Sequence, residues 1–282
     1  MRVLVTGAGG MLGSDVVRAA KYVNHDVVAL GHAELDVTDG RRVRRTIARL
    51  APDAVVNCAG WTDVDGAEED PIGATRVNEQ APRHVAAAAA EVGAAIVQPS
   101  TDYVFDGEKG EPYVESDATH PISVYGATKL AGEEAVAESN PHHFIVRTSW
   151  LFGPAGGNFV ETMLRLGREL GEVVVVRDQV GCPTYTGHLA EALVRLLDGD
   201  EYGLHHIAGG GECSWFEFAT AIFERAGVEC RTLSCTTDEF PRPAPRPPYS
   251  ALATEREYGL VLPDWHEGLE DYLADRQRAL TP

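Results

Sequence analysis

Short apolar runs alternate with longer helix-like stretches along the first half of the chain. The runs are rich in aliphatic residues, which is typical of strands buried on both faces of a parallel sheet. This alternation predicts an α/β fold with a Rossmann-like, doubly wound parallel sheet. We predict strands at residues 2–6, 26–30, 54–57 and 94–98, and helices at residues 14–21, 41–50 and 82–92.

The second half continues the alternation with less regular spacing. Trp215, Phe218 and Ile222 recur at helical spacing, and we interpret them as core residues rather than as a ligand site. The proline-rich segment 241–248 is incompatible with a regular helix or strand. We predict strands at residues 143–147, 173–176 and 204–207, and helices at residues 158–170, 189–197, 213–226 and 258–273.

A glycine-rich turn links the first predicted strand to the first helix. Gly7 and Gly10 allow the backbone to approach a pyrophosphate closely, and Gly13 allows the helix to pack on the strand. Strand, glycine turn and helix together are the context that a dinucleotide-binding fingerprint requires. The glycines follow a GxxGxxG rather than a GxGxxG spacing, and a tight turn without a ligand is the alternative.

The end of the second predicted strand bears on the choice of cofactor. A strict NAD binder carries a carboxylate there for the ribose hydroxyls, but this chain has Gly31 and His32. We therefore expect NADPH, with NADH still allowed. Asp36 and Val37 follow, and they could contact the adenine amino group and ring. Capping of the next helix by Thr38 or Asp39 is the alternative role for this stretch.

The ends of the third and fourth predicted strands supply further candidates, because ligands bind at the carboxyl edge of a doubly wound sheet. Cys58, Ala59 and Gly60 form a small-residue turn that leaves room for a ribose or nicotinamide, and residues 61–65 enter the same cleft. Thr101 and Asp102 follow the fourth strand. The Thr101 hydroxyl could bond a substrate carbonyl or a phenol, whereas Asp102 could tune that network or cap a turn.

Tyr125 and Lys129 are four residues apart, which places them on one face of a helix. An ammonium group beside a phenol favours the phenolate, so we expect Lys129 to lower the pKa of Tyr125. Such a phenol can donate and accept protons near neutral pH.

Composition narrows the class of partner and the compartment. The formal net charge is −19, which makes nucleic acid an unsuitable partner. The five cysteines form no CxxC pair, and no apolar run is long enough to cross a bilayer. We therefore expect a cytoplasmic protein with reduced thiols and no membrane partner. Only three of the 24 basic residues are lysine, and this scarcity together with the acidic excess fits either a salt-rich cytoplasm or a host whose genome favours arginine.

Taken together, these motifs resemble the dTDP-4-dehydrorhamnose reductases of the extended short-chain dehydrogenase/reductase superfamily. The glycine turn and the Tyr–Lys pair define only the superfamily. Ser-Thr-Asp-Tyr-Val-Phe at 100–105, Arg-Thr-Ser-Trp at 147–150 and Arg-Pro-Pro-Tyr-Ser at 246–250 narrow the resemblance to this group. The matching segments are residues 6–13, 35–39, 100–105, 125–133, 147–150, 158–159, 178–179, 181–184 and 246–252.

The resemblance implies hydride transfer from a nicotinamide to a dTDP-linked 4-keto sugar, which would be the partner of this chain. It implies a dinucleotide-binding domain at 1–148 with a returning part of about 162–208, and a substrate-binding domain at 149–161 and 209–282. Patterns and resemblance together make Tyr125, Lys129, Thr101 and Asp102 catalytic candidates. The cofactor candidates are Gly7, Gly10, Met11, Leu12, His32, Asp36, Val37, Cys58, Ala59, Gly60, Thr62, Ser100, Tyr125 and Lys129. The substrate candidates are Thr101, Asp102, Tyr125, Trp150, Asn158, Arg246 and Ser250.

The sequence leaves more than one interpretation open for two arginines, for the oligomeric state and for the function. Arg242 and Arg246 could clamp a nucleotide diphosphate or belong to a solvated linker. The resemblance also suggests a homodimer, which in some relatives is joined through magnesium. Asp15 could be one acidic ligand, but His188 lies near the position where the resemblance places a second one. We therefore predict no metal site. A reductase of another dTDP-4-keto sugar, a nucleotide-sugar 4-epimerase and a non-catalytic regulatory subunit are the alternative functions.

Overall fold

A six-stranded parallel sheet lies at the centre of the protein. The structure, a computed structural model, describes residues 1–257 and 259–280. The sheet contains β1 (Arg2–Thr6), β2 (Asp26–Leu30), β3 (Ala54–Asn57), β4 (Ala95–Thr101), β5 (His143–Thr148) and β10 (Gly203–His206). Its strand order is β10-β5-β4-β3-β1-β2, so the chain reverses direction across the sheet between β1 and β3. The predicted doubly wound α/β fold is confirmed.

Helices cover both faces of this sheet because successive strand residues point to opposite sides. In β1, Val3 and Val5 enter one apolar cluster with α1 and α8, whereas Leu4 enters another with α2 and α5. The helices are α1 (Met11–Tyr22), α2 (Gly40–Leu50), α3 (Val64–Glu69), α4 (Pro71–Thr75), α5 (Ala81–Glu91), α6 (Val124–Ser139), α7 (Phe159–Leu170), α8 (Thr186–Leu196), α9 (Trp215–Ala226) and α10 (Trp265–Leu280). A π-helical turn spans Arg76–Gln80, and a 3₁₀ turn spans Asp102–Val104.

A third apolar cluster lies apart from the main sheet. It joins α7, α9 and α10 through buried residues such as Leu164, Phe218, Ile222 and Leu269. Three two-stranded sheets accompany it, pairing β6 (Leu151–Phe152) with β9 (Thr184–Tyr185), β7 (Glu172–Val176) with β12 (Arg231–Cys235), and β8 (Val180–Gly181) with β11 (Cys213–Ser214).

The structure differs from the predicted elements in several places. The strands β6, β8, β9 and β12 were not predicted, and Cys213–Ser214, expected to begin a helix, form β11. Strand β4 runs three residues further than predicted, to Thr101, because it pairs with β5 as far as Thr148. The short helices α3 and α4 were not predicted. The predicted helix at 258–273 is wrong at its start: Tyr258 lies outside the described residues, and α10 begins only at Trp265, where the Asp264 carboxylate accepts the His266 N–H at 2.8 Å.

No helix in the described part of the chain has the length and apolar character needed to cross a membrane.

Candidate active site

The glycine turn packs too closely for side chains at two of its positions. Gly7 has φ +61°, and a Cβ there would lie 2.6 Å from the backbone nitrogen of Ala59. A Cβ on Gly13 would lie 2.2 Å from the Gly7 carbonyl oxygen. Helix α1 starts directly after Gly10 without a side-chain cap. Its first backbone N–H groups can therefore bind a pyrophosphate.

Two adjoining cavities follow the carboxyl edge of the sheet and share Gly10, Cys58, Ala59 and Gly60. The cavity with the larger empty volume, about 1370 Å³ including open solvent, reaches toward α9, and the smaller one, about 980 Å³ on the same measure, lies beside β2. The larger is lined by the candidates Gly10, Met11, Leu12, Cys58, Ala59, Gly60, Thr62, Ser100, Thr101, Asp102, Tyr125, Lys129 and Trp150. The smaller is lined by the candidates Gly7, Gly10, His32, Asp36, Val37, Cys58, Ala59 and Gly60.

Asp36 lines the smaller cavity but also closes a local turn. One of its carboxylate oxygens accepts both the backbone N–H of Thr38 at 2.9 Å and the Thr38 hydroxyl at 2.7 Å. The Thr38 hydroxyl bond is the main reason that the pKa of Asp36 is lowered. The cap of α2 is Asp39, which accepts the Arg42 N–H at 3.0 Å. The adenine role of Asp36 stays a prediction, and the alternative capping role of Asp39 is confirmed.

Tyr125, Thr101 and Asp102 converge at the larger cavity, although 23 positions separate Asp102 from Tyr125 in sequence. The Thr101 hydroxyl bonds the Tyr125 phenol and lies 3.1 Å from an Asp102 carboxylate oxygen. The other oxygen of Asp102 accepts the Ser250 hydroxyl at 2.5 Å. A hydrogen-bonded chain thus runs from the phenol through Thr101 and Asp102 to Ser250, which is itself buried.

The electrostatics of the Tyr–Lys pair differ from the sequence prediction. Burial raises the pKa of Tyr125 to about 12, and the Thr101 hydrogen bond offsets only part of that rise. The Lys129 ammonium donates to the Pro99 carbonyl at 2.7 Å instead of acting on the phenol. The prediction that Lys129 lowers the pKa of Tyr125 is therefore wrong here, because desolvation of the phenolate dominates. At neutral pH the phenol keeps its proton and can act as an acid.

The pKa of Lys129 is also shifted from its ordinary value. Burial lowers the pKa of Lys129 to about 8, and the Glu133 carboxylate one turn further along α6 opposes that shift. Glu133 accepts the Ser100 hydroxyl at 2.5 Å and a bidentate contact from Arg147 on β5, whose Nη2 lies 2.7 Å away. Ser100 thus lines the cavity, but its hydroxyl donates to Glu133.

An aromatic pair forms one wall of the larger cavity. Trp150 and Trp215 stack with ring centroids 3.5 Å apart and an interplanar angle of 4°. Trp150 adopts φ +48°, and a Cβ on Gly181 would lie 2.5 Å from its ring. One face of Trp150 is therefore taken by Trp215 rather than open to a sugar. Phe218 and Ile222 are core residues as predicted, and Trp215 packs against the same core while its ring also lines the cavity.

Three substrate candidates do not line either cavity. Asn158 caps α7 by accepting the Glu161 N–H at 3.0 Å, and its amide donates to the Gly153 carbonyl at 2.8 Å. Ser250 contacts Asp102, as described above. Arg246 binds Asp65 through both terminal nitrogens at 3.0 Å.

Other lining residues were not among the candidates, including Thr148, Ser149 and Trp215, although Thr148 and Ser149 directly follow the strand predicted at 143–147. The Thr148 hydroxyl is buried and, within residues 1–257 and 259–280, has no hydrogen-bond partner. Its position could have been inferred from pairing, since Thr148 lies opposite Thr101 in the register of β4 and β5. Nothing in the sequence indicates that Trp215 lies against Trp150.

The residues considered for magnesium are engaged with protein groups. Asp15 accepts the Thr186 hydroxyl at 2.5 Å and pairs with Arg18 at 3.0 Å. His188 lies 2.9 Å from Asp271. The described parts of the chain contain no group of three or more histidine, cysteine or acidic side chains arranged for a metal ion.

The chain is similar to known proteins along nearly its whole length. A model of the family described as "RmlD substrate binding domain" matches residues 1–278. The dTDP-4-dehydrorhamnose reductase of Mycolicibacterium smegmatis is 45% identical over 280 residues, which are 97% of this chain and 85% of that protein. The crystal structure of a Clostridium acetobutylicum dTDP-4-dehydrorhamnose reductase has a TM-score of 0.96 at 44% identity and covers 98% of this chain and 100% of that one. The Bacillus anthracis dTDP-4-dehydrorhamnose reductase, solved in complex with NADP, has a TM-score of 0.95 at 40% identity and covers 97% and 99%.

Proposed function

Because this chain belongs to the RmlD substrate binding domain family, we propose that it is an NADPH-dependent dTDP-4-dehydrorhamnose reductase. It reduces the C4 keto group of dTDP-4-dehydro-L-rhamnose and yields dTDP-L-rhamnose. The observation that carries this function is the convergence of Tyr125, Lys129 and Thr101 on one cavity beside the glycine turn. The NADP complex of the Bacillus anthracis relative supports NADPH as the cofactor.

Tyr125 acts as the proton donor in this mechanism. NADPH, when bound, supplies the hydride that adds to the carbonyl carbon. The carbonyl oxygen gains negative charge, and Tyr125 transfers its phenolic proton to that oxygen. Since burial raises the pKa of Tyr125 to about 12, the phenol is fully protonated before the reaction. Positioned acid catalysis of this kind contributes roughly 10²–10⁴-fold.

The neighbouring side chains orient the acid and the ligands. Thr101 holds the phenol by a hydrogen bond and is held in turn by Asp102. Burial raises the pKa of Asp102 to about 7, against the hydrogen bonds from Ser250 and Thr101. We propose that Lys129 binds the hydroxyls of the nicotinamide ribose and that Gly7, Gly10, Met11 and Leu12 contact the cofactor phosphates.

We propose a division into two domains that separates the two apolar clusters of the main sheet from the cluster of α7, α9 and α10. The dinucleotide-binding domain comprises residues 1–148 and a returning part. That part is best placed from α8 to β10, since α8 packs in the core beside α1. The earlier portion of the expected segment 162–208 differs, because α7 and β7 contribute to the core of α9 and α10. These elements belong with the substrate-binding domain.

A nucleotide sugar is the partner expected of this family. We propose a cytoplasmic location, supported by free thiols at all five cysteines. We also propose a homodimer, which light scattering on the purified protein measures directly.

The function is tested by following NADPH oxidation with the keto sugar produced in situ from dTDP-glucose. We expect oxidation of NADPH with formation of dTDP-L-rhamnose, and little bound cofactor in the protein as purified. A nucleotide-sugar epimerase would instead retain NAD and consume no NADPH. Absence of NADPH oxidation in the presence of the confirmed keto sugar would refute the proposal.

The pH profile follows from the ionisation of Lys129. Its pKa is lowered to about 8 by burial, so the ammonium is present below that pH and is lost above it. Tyr125 keeps its proton over the same range. We expect kcat/KM to fall above about pH 8, approaching a tenfold loss per pH unit. Initial rates between pH 6 and pH 10 check this expectation, and a constant kcat/KM up to pH 10 would contradict it.

A further inference from the structure

A single carboxylate joins the two arginines of the proline-rich segment to the dinucleotide-binding part. Asp65 lies in the first turn of α3, and its side chain is 16% exposed. Arg246 donates to it from Nη1 and Nη2, each at 3.0 Å. Arg242 donates from Nε at 3.0 Å and from Nη2, and the backbone N–H of Ala244 donates at 3.1 Å. Five hydrogen bonds from three positions of one segment therefore end on Asp65.

This arrangement holds two like charges side by side. Arg242 and Arg246 both donate to the same oxygen of Asp65, so their guanidinium groups converge on one point. Two cations and one anion leave a net positive charge in a chain whose formal charge is −19. Burial acts to raise the pKa of Asp65, but the hydrogen bonds from Arg246 and Arg242 outweigh it and keep that pKa well below its usual range.

The cluster borders the larger cavity. Val64, next to Asp65 in the chain, lines that cavity, as does Tyr103. The charges of both Arg246 and Asp65 act on the Tyr103 phenol, and the Tyr103 ring packs edge-on against Tyr125 with centroids 5.8 Å apart. Arg246 thus lies one aromatic ring away from the proposed acid.

We propose that Asp65 is a positioning residue that holds Arg242 and Arg246 together as a preformed receptor for the diphosphate of the nucleotide sugar. This inference rests on the proposed function, because that function supplies the diphosphate. A guanidinium group has five donors in a fixed plane. Arg246 uses two of them on Asp65 and a third on the Ala244 carbonyl at 2.7 Å. Arg242 uses two on Asp65, so the remaining N–H groups can bind phosphate oxygens. Arg242 is half exposed, which leaves it accessible to an anionic ligand.

The test uses Asp65→Asn and the binding of dTDP to the NADP⁺-loaded full-length enzyme, measured by titration calorimetry. We expect dTDP to bind about tenfold more weakly, because the amide cannot accept all five donors and the charge-assisted bonds are lost. KM for the keto sugar should rise similarly, with kcat and NADP⁺ affinity within about twofold of the wild type. A merely structural role would lower kcat and NADP⁺ affinity as well, and would overturn the proposal.

Two comparisons make the outcome specific. Asp117→Asn is the matched control, since Asp117 accepts the Lys109 ammonium at 2.6 Å and the Val114 N–H at 2.7 Å. It should leave dTDP affinity unchanged. In the background of Arg246→Gln, Asp65→Asn should weaken binding less than it does in the wild-type background, because part of its effect acts through Arg246.

Other results would overturn the proposal. Unchanged dTDP affinity in Asp65→Asn would show that the carboxylate does not position the arginines. Tighter binding would show that Asp65 competes with the diphosphate for them. If Asp65→Asn fails to fold, dTDP binding is measured with Arg242→Gln instead. Unchanged dTDP affinity in that variant would also overturn the proposal. If the wild-type enzyme does not reduce the keto sugar, the proposed function fails instead.

Discussion

Replacement of Tyr125 by phenylalanine is expected to lower turnover of the keto sugar by at least about 100-fold. The change removes one oxygen, the only proton donor that this account assigns to the developing alkoxide. Phenylalanine preserves the ring packing against Tyr103, where the centroids are 5.8 Å apart. NADPH affinity should stay within about threefold, because the proposed cofactor contacts are supplied mainly by the glycine turn and Lys129. Single-turnover NADPH oxidation and fluorescence titration with NADPH measure the two quantities.

Tyr22→Phe is the matched control for this experiment. Its side chain lies at the end of α1 and is 88% exposed, so the same chemical change should leave turnover unaffected. Turnover of Tyr125→Phe within a few-fold of the wild type would remove Tyr125 from the mechanism.

Replacement of Arg147 by methionine is expected to lower the free energy of unfolding by about 3–5 kcal/mol. Arg147 and Glu133 are only 4% and 7% exposed, so methionine would leave the Glu133 carboxylate buried without its cationic partner. The Arg147 guanidinium also lies over the Phe105 ring, 5.2 Å from its centroid. Equilibrium urea denaturation, followed by circular dichroism, provides the measurement.

Arg165→Met provides the comparison, because it breaks an ion pair of the same type at the surface. Arg165 and Glu169 are 59% and 55% exposed, and such pairs contribute about 0–1 kcal/mol. If both variants lose less than about 1 kcal/mol, the buried pair does not support the fold under the site.

The central sheet could be predicted because its strands are short apolar runs separated by helices. Residues such as Val3, Val5 and Val56 are fully buried, and a strand buried on both faces carries that pattern in its sequence. The glycine turn could also be predicted, because only glycine fits where Gly7 and Gly13 meet neighbouring backbone. Strand ends were less well predicted, because the extension of β4 to Thr101 depends on pairing with β5.

The chemistry of the site was only partly predictable from spacing. The interval between Tyr125 and Lys129 correctly places both residues on α6, but it does not report desolvation. Burial raises the pKa of Tyr125 to about 12, which the sequence alone could not indicate. A pKa depends on everything packed around the group, including residues distant in the chain.

Some side chains could serve two roles, and the sequence does not decide between them. Asn158 was a substrate candidate by resemblance, but both ends of its amide serve the start of α7. Trp215 fits a helical apolar stripe, yet it begins α9 and stacks on Trp150 at the cavity. Sequence pattern predicts the helix, whereas its capping box at Ser214 is seen in the structure, and the partner of its first ring depends on how two distant segments pack.

The most direct test of the catalytic geometry is a crystal structure of the protein with NADPH and dTDP-L-rhamnose. The account predicts the nicotinamide C4 atom about 3–3.5 Å from the sugar C4 atom. It also predicts the Tyr125 hydroxyl within about 2.6–3.2 Å of the sugar O4 atom. A nicotinamide ring bound outside the cavity of Tyr125, Lys129 and Thr101, or a sugar O4 atom facing away from Tyr125, would contradict it.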